Sequence, residues 1–214
     1  MTLDAIIIAD SGSDSLSATN PLKLKIEDRT ADIQVVKNFL EHDGKIQEPI
    51  QGDRVAGWSS APKLNGIYLA NYLNSNNFNV ELIDSFYSAK DRFNKLLADN
   101  PKAVIISTTF IPGKQSFAKL VSNIRDLAPD VPIIAGGPLV YMSYLMLQRG
   151  QEQGYDTHLA KNEFFFLEVK DEPAVDLYII SVRGERILRD VLDRIRNNKG
   201  YDDIPNSARL VGNT

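Results

Sequence analysis

The sequence predicts an α/β fold: a flavodoxin-like (Rossmann-type) three-layer sandwich. Its core is a five-stranded parallel sheet of order 2-1-3-4-5, with a long insertion after strand one. Three observations predict it. Short, wholly apolar, β-branched runs alternate with segments of helical period, the pattern of right-handed βαβ units whose strands are covered on both faces. The chain has 214 residues, 43% hydrophobic and 24% charged, which is an ordinary globular composition and long enough to bury a core unaided. It has no cysteine and no apolar run near the ~18 residues of a membrane span.

The first strand is read at Asp4–Asp10, closed by a Ser/Gly cluster, and Asn79–Asp84 alternates as a less buried strand. Ala103–Thr108, Val131–Gly137 and Asp176–Ser181 supply the others, with Pro132 near a strand start, where its missing N–H is tolerated. Leu64, Ile67, Leu69, Ala70 and Leu73 form an apolar helical face after Pro62, and Phe93, Leu96 and Leu97 mark a short helix ending near Asn100-Pro101. Phe117, Leu120, Val121 and Ile124 sit at i, i+3, i+4, i+7, and Leu188, Val191, Leu192 and Ile195 repeat that spacing. The last helix is expected to close with Gly200 at C′.

Two stretches lie outside the repeat. Residues 11–61 are too long for a structureless connection and are expected to be a partly ordered insertion over the carboxyl edge of the sheet. They hold an edge-strand candidate at Leu22–Ile26 and a weak helical pattern at Ile33, Val36, Phe39 and Leu40. The stretch at about 150–174, with Phe164–Val169, reads as an extra edge strand, loop or hairpin. The whole chain is one domain, with about 200–214 a linker.

Composition excludes several functions. The net charge is 24 − 28 = −4, unlike a chain that neutralises nucleic-acid phosphates. Without cysteine there is no disulfide, zinc–thiolate site, iron–sulfur ligation or cysteine nucleophile, and His42 and His158 are too few for a histidine-rich metal site. The N-terminal MTLDAIIIAD carries no secretory signature, so the expected location is the cytoplasm, with no membrane partner.

In parallel α/β sheets ligands bind beyond the carboxyl ends of the strands, so the loops after Asp10, Asp84, Ser107, Ala135 and Ser181 hold the candidates. Gly136-Gly137-Pro138 is either a tight strand-to-helix turn or a place where a ligand approaches the backbone. Ser107-Thr108-Thr109 offers hydroxyls to a ligand or to a helix cap. In Arg183-Gly184-Glu185, Glu185 suits the first turn of a helix, and Arg183 pairs with Glu185 or with an anion. Ser11–Ser15 is hydroxyl-rich but opens into no helix, so a flexible loop is favoured over a phosphate cradle; no G-K-[ST] follows for a P-loop. Asp10, Asp14 and Asp84 could cluster, but Ser107-Thr108 stands where a phospho-acceptor receiver needs its aspartate. Trp58 is read as packing the insertion onto the sheet.

Taken in order, Ala61–Leu73, Asn79–Asp84, Val104–Thr109, Ile134–Pro138 and Ile180–Glu185 resemble the N-terminal cobalamin-binding domain of B12-dependent radical SAM proteins. The likeness covers about two-thirds of the chain, and Asp203–Val211 resembles the segment leading into that family's radical SAM barrel. It implies a corrinoid across the carboxyl edge, with its nucleotide tail beside strands three and four. It implies cofactor-binding roles for Asp10, Ser11 and Gly12, for Ser107, Thr108 and Thr109, for Gly136, Gly137 and Pro138, and for Arg183, Gly184 and Glu185. Two departures qualify the picture. The family's D-x-H-x-x-G is represented by Asp10–Ser15 with Asp10 but no histidine, so cobalt takes no histidine from this loop. The C-x-x-x-C-x-x-C motif is absent, so the iron–sulfur cluster and SAM belong to a downstream catalytic domain of the same parent chain. The expectation is therefore a non-catalytic, excised N-terminal cobalamin module. The alternatives are a ligand-free scaffold plugged by residues 11–61, or a flavin- or nucleotide-binding protein using Ser11–Ser15.

Overall fold

The apolar runs become strands and the 3.6-period segments become helices. In chain order the elements of the computed structural model are β1 (Ala5–Ile8), β2 (Lys25–Ile26), β3 (Arg29–Thr30), α1 (Leu64–Ser75), β4 (Val80–Ile83), α2 (Lys90–Leu97), β5 (Val104–Ser107), a 3-10 turn (Thr108–Phe110), α3 (Lys114–Leu127), β6 (Ile133–Gly136), α4 (Pro138–Gln153), β7 (Leu177–Ile179), α5 (Gly184–Arg196) and β8 (Ser207–Ala208). The structure describes residues 2–9, 25–27, 29–30, 39–40, 42–45, 63–111, 113–154, 175–201 and 203–209.

The main sheet has the order β4-β1-β5-β6-β7-β8. Its first five strands are parallel, in the expected 2-1-3-4-5 order. The strand count is corrected from five to six, because β8 adds an antiparallel edge to β7, pairing Tyr178 with Ala208 and Ile179 with Ser207. That stretch has no apolar alternation; buried Ile204 anchors it, and its pairing is made by backbone. Of the edge-strand candidate at Leu22–Ile26, Lys25–Ile26 pairs with Arg29–Thr30 in a separate two-stranded ladder, and residues 22–24 lie outside the described residues.

Alternate side chains of each strand enter opposite layers, as a pleated strand requires. Ile6, Ile8, Val104, Ile106, Ile133 and Ala135 pack with Phe93 of α2, the Phe117-Leu120-Val121-Ile124 stripe of α3, and Leu139 and Val140 of α4. Ala5, Ile7, Ile105, Ile134, Leu177 and Ile179 pack with Ala70 and Leu73 of α1 and Leu188, Val191 and Leu192 of α5. Helices α1 and α5 thus share one face.

Helix α1 departs from its expected face. Leu64 is 76% exposed, and the buried residues are Gly66, Ala70 and Leu73. A Cβ on Gly66 would lie 2.6 Å from Ala9 Cβ and 2.7 Å from Leu82 Cδ1. The helix crosses the sheet so closely that small residues must face inward, which turns Leu64 out. The close of α5 is corrected as well. Asn198 takes φ +53°, its N–H bonds Ile195 O and the Lys199 N–H bonds Arg194 O. This is a Schellman close with Asn, not Gly200, at C′.

At the amino edge, Arg196 forks onto Asp4, Nε to Oδ1 at 3.0 Å and Nη2 to Oδ2 at 2.6 Å. Its guanidinium lies 4.1 Å from the Phe78 ring centroid. The Asn79 N–H also donates to Asp4 Oδ2 at 2.8 Å. One carboxylate therefore ties β1, the α1–β4 turn and the end of α5 together.

Candidate functional site

The sheet register creates the site. Ser107 pairs with Gly136, and Gly136 with Ile179, so the last residues of three adjacent strands stand in one row. Beyond that row begin the 3-10 turn, α4 and α5. A cavity of about 390 Å³ opens there between α1 and α5, within the usual size range of small-molecule sites. Its floor is aliphatic: Leu69, Ile105, Ile134, Ile179 and Leu188. Hydrogen-bonding side chains gather at the strand ends, at Ser107, Thr109, Ser181 and Glu185. At ~3.3 Å of rise per residue, Ile105 and Ile134 lie about 7 Å below Ser107 and Gly136. Apolar depth and polar rim are therefore set by the strand order itself.

The two strand-end motifs are locked to each other. Gly137 has φ +114° and ψ −172°, a combination essentially confined to glycine. A Cβ there would lie 2.9 Å from Thr108 Oγ1 and 3.1 Å from Thr108 N. Thr108 is buried, and its hydroxyl donates to Gly136 O at 3.0 Å. Thr108 and Gly137 thus build the corner, while Gly136, Gly137 and Pro138 also line the cavity. Pro138 starts α4 at the position where its lack of an N–H costs nothing.

Ser107 and Thr109 take a different role from Thr108. Asn65 Nδ2 donates to Ser107 Oγ at 2.6 Å, and Ser107 Oγ lies 3.3 Å from Thr109 Oγ1. All three residues line the cavity. Asn65 Oδ1 is enclosed without a hydrogen-bond partner.

Of the remaining candidates, Gly184 and Glu185 line the cavity at the start of α5, with Glu185 in the first turn as expected. Arg183 is the exposed residue before α5, and its N–H bonds Ser181 Oγ at 3.0 Å. Asp84 accepts the Lys63 N–H at 3.4 Å. Asp10, Ser11, Gly12, Asp14, Trp58, His158 and the Phe164–Val169 run lie outside the described residues. Among the described residues no group of three or more His, Asp or Glu is placed to hold a metal ion, and no helix is long and apolar enough to cross a membrane.

Sequence reasoning missed the walls of the cavity. Asn65, Tyr68 and Leu69 of α1 and Tyr141 and Met142 of α4 all line it. The available signal was positional: Asn65 precedes the glycine that brings α1 onto the sheet, and Tyr141 lies one turn after Gly-Gly-Pro. Among the lining residues, Tyr68, Met142 and Val182 expose large apolar surface.

Architecture and cavity together define a Rossmann-like α/β domain with an apolar, polar-rimmed ligand site at its carboxyl edge. Comparison with known families narrows this class. The model of the B12 binding domain matches residues 59–161, just under half of the chain, and supports a cobalamin-binding domain. The matched segment runs from the approach to α1 past the end of α4 and includes Asn65, Ser107–Thr109 and Gly136–Pro138. No curated protein and no solved structure matches the chain.

Proposed function

We propose that the chain is a cobalamin-binding module that presents a corrinoid at the carboxyl edge of its sheet to a radical SAM domain on the same parent chain. The observation that carries the reading is the cavity between α1 and α5, which lies inside a fold of the matched family's kind. A corrinoid tail combines a flat apolar base with a sugar and a phosphodiester. The aliphatic floor suits the base, and the rim of Ser107 and Thr109 suits the polar part. Gly136 and Gly137, whose Cβ positions are closed by Ile179 and Thr108, bring the backbone of the strand end to the cavity. The exposed apolar surface of Tyr68, Met142 and Val182 suits a broad apolar plate.

The remaining assignments follow from the resemblance. Asp10, Ser11 and Gly12, which follow β1 in the sequence, and Arg183, Gly184 and Glu185, at the N-cap and first turn of α5, are assigned to the corrinoid. The Asp10–Ser15 loop holds no histidine, so binding is histidine-off. When bound, the corrinoid supplies cobalt-centred methyl-transfer or radical chemistry. This chain binds and orients it, while the iron–sulfur cluster and SAM reside on the partner domain, in the cytoplasm.

The test is to incubate the purified chain with hydroxocobalamin, remove free corrinoid by gel filtration and record the visible spectrum. Stoichiometric retention with a base-off spectrum is expected. Elution of corrinoid-free protein would overturn the reading in favour of a scaffold that only docks.

A further inference from the structure

Asn65 carries none of the roles assigned above, yet it controls the hydrogens of the cavity rim. We propose that Asn65 is a positioning residue: by donating to Ser107 instead of accepting from it, it fixes the Ser107 hydroxyl while the Ser107–Thr109 pair keeps one hydrogen to give to an acceptor on the ligand. On the corrinoid reading, on which this inference rests, that acceptor is a phosphodiester oxygen of the nucleotide tail.

Each hydroxyl carries one hydrogen and two lone pairs. Asn65 Nδ2 gives its own hydrogen to Ser107 Oγ at 2.6 Å and takes none from it. Ser107 Oγ and Thr109 Oγ1, 3.3 Å apart, share one of their two hydrogens. One remains, on Ser107 or Thr109, and both side chains line the cavity. No lysine or arginine is among the lining residues and Glu185 only accepts, so the side-chain donors for an anionic oxygen are the Asn65 amide and hydroxyls, this one beside those of Tyr68, Tyr141 and Ser181.

Two features hold the amide in this role. Gly66 seats α1 against Ala9 and Leu82, which brings the first turn of the helix to the end of β5. The amide orientation follows from its enclosed half. Oδ1 has no partner, and a reversed amide would instead strand an NH2 group, whereas under-satisfied carbonyl oxygens are the commoner case in proteins.

Asn65→Asp tests the count with little change of shape. A carboxylate only accepts, so it takes the hydrogen of Ser107; Ser107 then takes that of Thr109, and none is left for the ligand. Hydroxocobalamin binding at pH 7 is expected to weaken about tenfold or more. Binding of cobinamide, which lacks the nucleotide, is expected to stay unchanged, and Asn65→Leu, which leaves the pair its spare hydrogen but removes the bond that fixes Ser107, to weaken hydroxocobalamin binding only about two- to fivefold. With Ser107→Ala in place, Asn65→Asp should add little further loss; plain repulsion between the introduced carboxylate and the phosphate would instead add the same loss in both backgrounds. Thermal melts establish that each variant is folded.

An Asn65→Asp chain that binds hydroxocobalamin as wild type does, or loses cobinamide equally, or shows the same loss with Ser107→Ala, would overturn this inference alone. A wild-type chain that retains neither corrinoid would overturn the corrinoid reading and this inference with it.

Discussion

Replacing Gly137 by alanine should damage the corner on which the whole site is built. The residue sits at φ +114°, and an added Cβ would come within 2.9 Å of Thr108 Oγ1 and 3.1 Å of Thr108 N. The backbone strain alone is worth about 1–3 kcal/mol. Relief of the contact requires Thr108 to move, which breaks its 3.0 Å bond to Gly136 O and adds about 1 kcal/mol. The expected loss is roughly 2–4 kcal/mol, or a fall in Tm of roughly 5–15 °C for a chain of this size. Two internal standards bracket it. Gly154 has φ +62° with open space around its Cβ position, so Gly154→Ala should lose about 1 kcal/mol. Gly200 has open space and no positive φ, so Gly200→Ala should stay within about 0.5 kcal/mol of wild type. Urea unfolding followed by circular dichroism ranks the three. If Gly137→Ala proves as stable as Gly200→Ala, the corner is not strained and the account of Thr108 and Gly137 is wrong.

Further predictions follow from the same contacts. Gly66→Ala ought to gain ~1 kcal/mol from helix propensity, but the 2.6 Å approach to Ala9 should outweigh it, giving a net loss of about 1–3 kcal/mol by urea unfolding. Burial pushes the Asp4 carboxyl up, but hydrogen bonds from Arg196 and the Asn79 N–H pull it further down, so it is held below its ordinary value. A depressed carboxyl contributes stability that is present above its unfolded value of ~3.9 and is lost as pH falls through the lower folded value. Asp4→Asn should therefore cost about 1–3 kcal/mol at pH 7 and flatten the loss of stability below about pH 4, measured as unfolding midpoints against pH. Ser107→Ala removes the acceptor of the Asn65 amide, so it should cost about 1 kcal/mol, a fall in Tm of roughly 2–4 °C, while weakening hydroxocobalamin retention several-fold, read by absorbance after gel filtration.

Much of this was legible because local periodicity and burial agree. Phe117, Leu120, Val121 and Ile124 form a 3.6-period stripe, and those four are the buried residues of α3. Four apolar runs and one alternating strand dictated a parallel sheet, and its 2-1-3-4-5 order implied that Ser107 and Gly136 would be neighbours, as they are. What was not legible depends on contacts between distant segments. Leu64 looked like a core residue until the closeness of α1 to the sheet made Gly66 the inward one. Strand β8 carries no hydrophobic signal because backbone pairing to β7 defines it. Gly200 was the expected left-handed residue, yet Asn198 holds that conformation where the helix actually closes. Thr108 and its neighbours Ser107 and Thr109 read alike as hydroxyls, and only the register separates the corner residue from the two that face the cavity.

The most direct test of the central claim is a hydroxocobalamin titration of the wild-type chain beside Leu69→Trp, in which an indole is built into the floor of the cavity between α1 and α5. Stoichiometric retention by wild type and at least about tenfold weaker retention by Leu69→Trp, with both proteins folded, is the predicted result. Equal retention by the two would place the corrinoid elsewhere, and no retention by wild type would contradict the claim outright.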